Sequence, residues 1–330
     1  MKVLVHWIRT LIYWLQIYIS HIFLRLRFPR KTFIGIAMDG DLGDMVASEP
    51  ILPALATKFG DTYITWICHP KHFPVFAYHP LVNRLLPQKF TLLTHLLLRS
   101  HPFHHLYSLH LSGFRTDSMT NTTILNPKAD ALNLTLTNYY DQYTLLEVAS
   151  LLADLGKLNG QPHVYLDQAE VNLPVKGKYW VIHAKSNEGM RDWKDESWIQ
   201  LIQYAIETWG IQIIEIGHVN PLAFDHPSFL SLVGKTTLQE TMKIIKGASF
   251  FIGLDSGPTH IANAFQVPAL VLCGSFKNFN IYHSYSGAYQ NPEIAHVLFN
   301  KQGRAEGLDF EQVKNALNAI VHKTQKYLEK

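Results

Sequence analysis

From residue 32 onward, short β-rich runs alternate with helical stretches, and this alternation restricts the chain to parallel sheets covered by helices. The run TFIGIAM at 32–38 is apolar, short and bounded by a Gly/Asp turn, which predicts a buried strand. A helical stretch to about residue 58 follows, with Pro50 and Pro53 confined to a first turn or a kink. YITWIC at 63–68 predicts a second strand. The Leu/His-rich stretch 91–112 reads as a helix and then a strand, and a helix around 138–155 closes this half. The second half alternates more clearly. YWVIHA (179–184) and IQIIEI (211–216) are expected strands flanking a helix near 195–208. Thr237 and Glu240 have capping-box spacing before a helix that stops at Gly247. A strand at 249–255, a turn and helix at 256–265, a final strand at 269–273 and an amphipathic helix at 308–325 complete the reading.

A chain of 330 residues that is 47% hydrophobic can bury one large core or two ordinary ones. The low-periodicity stretch 157–178, with Gly160, Pro162, Pro174 and Gly177, is the best boundary. It divides the chain into an N-terminal helical segment (1–31), a first α/β domain (32–165) and a second (166–330). Two such halves would face a central cleft, and open parallel sheets bind ligands at the carboxyl ends of their strands. Charged residues make up 17% and the formal net charge is +3, too mild for nucleic acid as the main partner. Cys68 and Cys273 alone support neither a disulfide framework nor a cysteine-rich zinc site, and a reducing, cytosolic setting fits them. The eighteen histidines are scattered without metal-ligand spacing, so no metal is expected.

Residues 3–24 would be long enough to span a membrane. However, His6, Arg9, Thr10, Gln16 and Ser20 recur at helical spacing, giving one polar stripe on a helix rich in Leu, Ile, Trp and Tyr. That pattern suits an amphipathic helix lying in the headgroup region. Trp7, Trp14 and Tyr18 would then sit at the interface, and Arg25, Arg27, Arg30 and Lys31 would face anionic lipid. A true span and a helix packed on the protein's own body are the alternatives. No small-residue cleavage site follows, which argues against a secretory signal peptide.

Three segments fall at strand-to-helix turns. In the first, residues 39–44 (DGDLGD), Gly40 and Gly43 permit a tight turn and close ligand approach, and Asp44 stands at a helix start. A carboxylate there can take the proton of an attacking hydroxyl, or simply cap the helix. The turn is not a GxGxxG fingerprint, which disfavours a dinucleotide oxidoreductase. The second segment, 183–193, carries Lys185, Ser186 and Arg191; these suit a diphosphate and its leaving charge, or else an ordinary solvated loop. The third, 253–264 (GLDSGPTHIANA), is the most specific. A strand ends in Asp255, and Ser256, Gly257 and Pro258 open a helix carrying Thr259 and His260. Pro258 is tolerated in a first turn, and the helix N-terminus suits a phosphate. Asp255 can accept sugar hydroxyls and His260 can donate to an oxygen; plain capping is the bland alternative.

With these segments in place, the chain resembles the heptosyltransferases of glycosyltransferase family 9, which have the two-domain GT-B architecture of Rossmann-like α/β units. GDLGD after a strand looks like the family's N-terminal motif, with Asp44 on the position of the proposed base. VIHA followed by Arg191-Asp192-Trp193 matches the donor-phosphate loop, with Arg191 where related enzymes use a lysine. LVGKTTLQE (232–240) and DSGPTHIA (255–262) match the donor site in order and spacing. Asp39-Gly40-Asp41 imitates the Asp-x-Asp metal motif of a different fold, but lies in the first βα turn and reads as coincidence. The resemblance implies inverting, metal-independent transfer of a sugar, most naturally heptose from ADP-heptose, to a lipopolysaccharide-core-like glycolipid. It implies donor contacts from Lys185, Ser186, Arg191 and residues 255–260, with no cofactor. Arg84, Arg99 and Arg115 would shape the acceptor side. Such an enzyme belongs to bacterial cell-envelope synthesis, in the cytoplasm at the inner membrane's cytoplasmic face. A same-fold transferase using a hexose or N-acetylhexosamine donor, and a non-catalytic nucleotide-sugar-binding protein, are the rival readings.

Overall fold

The computed structural model describes residues 2–38, 40–88, 91–117, 121–175, 177–275, 279 and 285–328. The chain falls into two compact units: residues 1–41 with 48–159, and residues 42–47 with 160–330. Each is an α/β unit built on a parallel sheet.

The first unit begins with α1 (Lys2–Arg27) and β1 (Thr32–Ala37). The next helix, α2 (Leu42–Ala47), groups with the second unit. There follow α3 (Ile51–Phe59), β2 (Thr62–Cys68), α4 (Phe73–Phe76), β3 (Val82–Pro87), α5 (Thr91–Ser100) and β4 (His105–Ser108). A two-stranded ribbon of β5 (Thr116–Asp117) and β6 (Thr122–Thr123) precedes α6 (Pro127–Ala131), α7 (Tyr139–Gln142) and α8 (Leu145–Leu152). The main sheet has the order β3-β2-β1-β4, all parallel. Its interior strand β1 is buried from Phe33 to Ala37, as a strand covered on both faces must be. Pro50 precedes α3 and Pro53 lies in its first turn, so the expected helix to residue 58 is two helices, not one. The helix expected over 138–155 is likewise two: Tyr143 turns extended and Thr144 forms a capping box with Glu147 that restarts the chain as α8.

α1 has an unusual orientation. Ile17 packs with Leu93, Leu97 and Phe103, flanked by Tyr13 and Trp14. Polar contacts on this side add to the packing. Thr10 Oγ1 donates to His6 O at 2.9 Å, Tyr13 Oη to Pro87 O at 3.1 Å, and Trp14 Nε1 to Ser100 Oγ at 2.9 Å. Arg84 donates to Ser20 Oγ at 2.9 Å, and His6 pairs with Asp117 at 2.9 Å. His21 is buried against Phe103, with ring centroids 4.3 Å apart; burial, with Arg84 and Arg25 nearby, holds its pKa down at about 4. The opposite side carries Leu4, Ile8, Leu11, Ile12, Leu15, Ile19, Ile22, Phe23 and Leu26, all exposed. Of the polar stripe, His6, Thr10 and Ser20 thus face the protein, while Arg9 and Gln16 are exposed. Trp14 belongs to the body-facing side, and Tyr18 lies 5.6 Å from it and is only partly exposed, so neither sits on the outer face with Trp7. Among the described residues no helix is long and apolar enough to cross a membrane, which removes the spanning alternative.

The second unit continues with β7 (Tyr179–His183), α9 (Asp195–Trp209), β8 (Gln212–Glu215), β9 (Phe229–Ser231), α10 (Leu238–Lys246), β10 (Phe250–Leu254), α11 (Gly257–Ala264), β11 (Ala269–Gly274), β12 (Ala295–Asn300) and α12 (Phe310–Leu328). Its six-stranded sheet has the order β12-β11-β10-β7-β8-β9, all parallel. The strand at 269–273 is therefore not the last: β12 extends the edge beyond it. The sequence of α9 dictates how it packs. Trp198, Leu201, Ile202, Ala205 and Ile206 recur three to four apart and are all buried, and Gly210 ends the helix in the left-handed conformation at φ 62°. Each fully buried Leu or Ile contributes about 1.5–3 kcal/mol of transfer free energy. With Val313, Leu317 and Ile320 of α12, this stripe covers Ile182, Ile252, Leu254, Leu270 and Leu272 on one sheet face. Residues of alternate parity meet α10 and α11, where Tyr179 Oη donates to Ile244 O at 2.9 Å. α10 opens with the expected reciprocal Thr237–Glu240 capping box and stops at Gly247.

Candidate functional site

Two βα turns at the second sheet's carboxyl edge carry the predicted donor residues. β7 ends at His183, and the loop after it is pinned by Trp193, whose buried indole donates to Leu308 O at 2.9 Å. Within that loop, Asp192 Oδ1 accepts from Ser186 N at 2.8 Å and from Ser186 Oγ at 3.0 Å. Lys185 pairs with Asp195 and lies 3.9 Å from Asp192. Ser186 and Lys185 therefore shape and brace the loop. Arg191 points elsewhere. Its Nη1 donates to Asp255 O and to Asp255 Oδ2, each at 2.8 Å, and its Nε lies 3.3 Å from Glu188 Oε2.

Asp255 follows β10 and is 5% exposed. Besides Arg191, it is held by the Tyr285 hydroxyl, which donates to Oδ1 at 2.8 Å. A buried carboxylate with strong donors on both oxygens is fixed in place. Next along the chain, Ser256 Oγ lies 2.9 Å from His183 Nδ1, joining the β7 and β10 ends. Gly257 and Pro258 form the first turn of α11, where Pro fits because no intrahelical bond is lost. Thr259 Oγ1 donates back to Leu254 O, which fixes the helix start against the strand end. His260 is 4% exposed, with its ring 4.8 Å from that of Tyr285. Burial lowers the pKa of both His183 and His260 to about 4; for His260, Asp255 raises it and Arg191 lowers it. Both rings are neutral at pH 7 and able to donate one N–H without carrying charge.

α2 packs on α11 within this same unit. A Cβ built on Gly43 would lie 2.7 Å from His260 Cδ2, and one on Gly257 would lie 2.8 Å from Leu42. Both glycines are there because the two helices approach too closely for a side chain. Gly43 touches His260, and Asp44, in the first turn of α2 and partly exposed, is the next residue. The structure thus brings Gly43 and Asp44 together with the 255–260 corner, and Arg191 with Asp255. Gly40 is buried just before α2, and Asp41 is exposed 3.8 Å from Lys71. Asp39 lies outside the described residues. Among the described residues, no group of three His, Cys, Asp or Glu is arranged to hold a metal ion.

A small pocket opens beside this corner, lined by Met190, Arg191, Asp255, Leu272, Cys273, Gly274 and Ser275. Burial drives the Cys273 thiol well above its usual pKa, so it is an unreactive wall. Sequence reasoning missed Tyr285, and no local pattern marks it. It also gave no role to Asn263, although that residue lies in the distinctive segment. Asn263 Nδ2 donates to Ser286 O at 2.8 Å and its Oδ1 accepts from Tyr289 N at 3.0 Å, which holds the chain around Tyr285 against α11.

The family described as glycosyltransferase family 9 (heptosyltransferase) matches residues 146–286, which include the second and third segments but not the turn at 39–44. Lipopolysaccharide heptosyltransferase 3 of Escherichia coli (strain K12) is 28% identical over 143 residues, 38% of this chain. The chain spans 41% of the length of that curated relative. Among solved structures, a family 9 glycosyl transferase from Veillonella parvula DSM 2008 superposes with a TM-score of 0.64 at 16% identity, covering 88% of this chain and 97% of that one. An E. coli heptosyltransferase solved with ADP gives a TM-score of 0.60 at 16% identity, covering 89% and 99%. At such identities these structures establish the fold, which is of GT-B type, and the family match covers the second and third segments.

Proposed function

We propose that this chain, a glycosyltransferase family 9-like protein, is an inverting glycosyltransferase that moves heptose from ADP-heptose onto a lipopolysaccharide-core-like glycolipid. The observation that carries the reading is the packing of α2 on α11, which sets Asp44 one residue from the contact with His260 at the corner made by Asp255 and Arg191. Two similar structures support the donor: one E. coli heptosyltransferase structure holds ADP, and another holds ADP-2-deoxy-2-fluoro heptose. In this reading the diphosphate lies near the first turn of α11 and the Arg191 guanidinium. The guanidinium is anchored on Asp255 beside that turn, and a guanidinium suits phosphate oxygens in a bidentate manner.

Asp44 accepts the proton of an acceptor hydroxyl. The hydroxyl oxygen bonds to the anomeric carbon while the bond from that carbon to the phosphate oxygen breaks on the opposite side, which inverts the centre. The electron pair departs with ADP, and Arg191, the helix terminus and the neutral His260 N–H meet its charge, so the step needs no metal. Lys185 and Ser186 contribute by holding the loop that aims Arg191. An acceptor of this class is lipid-anchored, which places the enzyme peripherally on the cytoplasmic face of the inner membrane.

The test is Asp44→Asn. Transfer from ADP-heptose should fall by about 10² to 10⁴-fold, the usual contribution of a positioned base, while ADP affinity stays within about twofold. Near-normal turnover removes Asp44 as the base.

A further inference from the structure

We infer that the outward face of α1 is a docking surface for an anionic lipid bilayer, with the helix lying flat in the headgroup region and its polar side fastened to the first unit. This deepens the membrane placement in the proposed function but stands on separate observations from the transfer chemistry.

The first observation is which side of the helix is satisfied. Tyr13, Trp14, Ser20 and His6 spend their polar atoms on Pro87, Ser100, Arg84 and Asp117. These bonds hold α1 in one rotation, and that rotation turns Leu4, Ile8, Leu11, Leu15, Ile19 and Ile22 outward, each at least 44% exposed. Their spacing of three or four keeps them on one line along a helix of 26 residues, about 39 Å at 1.5 Å per residue. The ridge from Leu4 to Ile22 is about 27 Å long, and soluble monomers rarely expose a continuous aliphatic ridge of that length.

The second observation is charge. The first 38 residues contain Lys2, Arg9, Arg25, Arg27, Arg30 and Lys31 and no acidic residue. Two acids that reach this segment are paired with it, Asp117 with His6 on the inner side and Asp61 with Lys31 at 2.9 Å. Arg27 and Arg30 stand exposed at one end of the ridge, and Lys2 and Arg9 at the other. Cations at both ends of an aliphatic line match a bilayer whose headgroups are negative and whose acyl chains lie just beneath. A protein partner is less well matched, because protein interfaces concentrate aromatic and arginine anchors at their centre and this ridge is aliphatic from Leu11 to Ile19.

The experiment is flotation of the full chain with phosphatidylcholine vesicles, with and without about 30 mol% phosphatidylglycerol. Binding is expected to the anionic vesicles and to be weakened by high salt. The double variant Leu15→Glu, Ile19→Glu should lose at least about tenfold in partitioning with no change in melting temperature, since both side chains are already in solvent. Asp44→Asn should bind vesicles like the parent, which separates this inference from the transfer reading. Failure to float with anionic vesicles overturns it. So does a dimer in sedimentation velocity that the double variant dissolves while neither protein binds vesicles; a second copy would then be the occupant.

Discussion

α1 and α11 depart from the usual rule of helix burial in opposite directions. α11 has eight residues and buries six of them, among them Thr259, His260 and Asn263. α1 has 26 residues and buries only three, Thr10, Ile17 and His21, while most of its leucines and isoleucines face outward. Hydropathy alone would have placed both differently. Hydrogen-bond partners decide the orientation in each: Thr259 reaches Leu254 O, Asn263 serves Ser286 and Tyr289, Trp14 reaches Ser100 Oγ, and Ser20 Oγ accepts from Arg84. A buried polar group with a partner costs little, whereas one without costs about 1–3 kcal/mol. The contrast separates a helix built to be enclosed from a helix built to present a surface.

Substitution tests that contrast directly. Gly43→Ala puts a methyl group 2.7 Å from the buried His260 ring, so the α2–α11 packing must shift. Overpacking of about 1–3 kcal/mol exceeds the helix-propensity gain of up to about 1 kcal/mol from replacing Gly. A net loss of about 1–2 kcal/mol is expected in chemical denaturation of the second unit, with reduced transfer activity. Leu15→Ser on the outer face of α1 should change stability by less than about 0.5 kcal/mol. Equal effects at both positions would erase the distinction between the two helices.

A smaller, pH-dependent effect sharpens it. His183 and His260 have folded pKa values of about 4, lowered first of all by burial, against 6.5 when unfolded. The unfolded chain therefore binds more protons between those values. Their contribution is fully present above pH 6.5 and is lost as pH falls toward 4, by at most about 3 kcal/mol per ring. Thermal unfolding measured across pH 4–7 should lose part of that slope in His260→Gln. An unchanged slope would mean that the ring does not titrate as its enclosure demands.

The missing pieces of the sequence reading share a physical cause. The strands expected at 32–38, 63–68, 179–184, 211–216, 249–255 and 269–273 all appear, and each is flanked by neighbours on both sides. The unread strands β3, β9 and β12 are all sheet edges. Edge strands need only one covered side, so β3 carries Asn83 and Arg84, β9 is three residues long, and β12 mixes His296 and Asn300 with its apolar residues. In the site, the 255–260 segment was legible because a strand end, a Pro and a helix start are local signals. The Arg191–Asp255–Tyr285 arrangement joins residues 64 and 30 positions apart, and no periodicity encodes such a distance. For α1 the polar stripe was legible but its direction was not, because direction depends on Ser100, Arg84 and Asp117 elsewhere in the chain.

The central claim is that the corner of Arg191, Asp255 and the first turn of α11 receives a nucleoside diphosphate. Calorimetric titration of the intact chain with ADP tests it most directly. The account predicts saturable binding to one site, weakened at least about tenfold by Arg191→Ala as a charge-assisted phosphate contact is lost. No binding of ADP, or equal affinity in the Arg191→Ala protein with its fold intact, would contradict it.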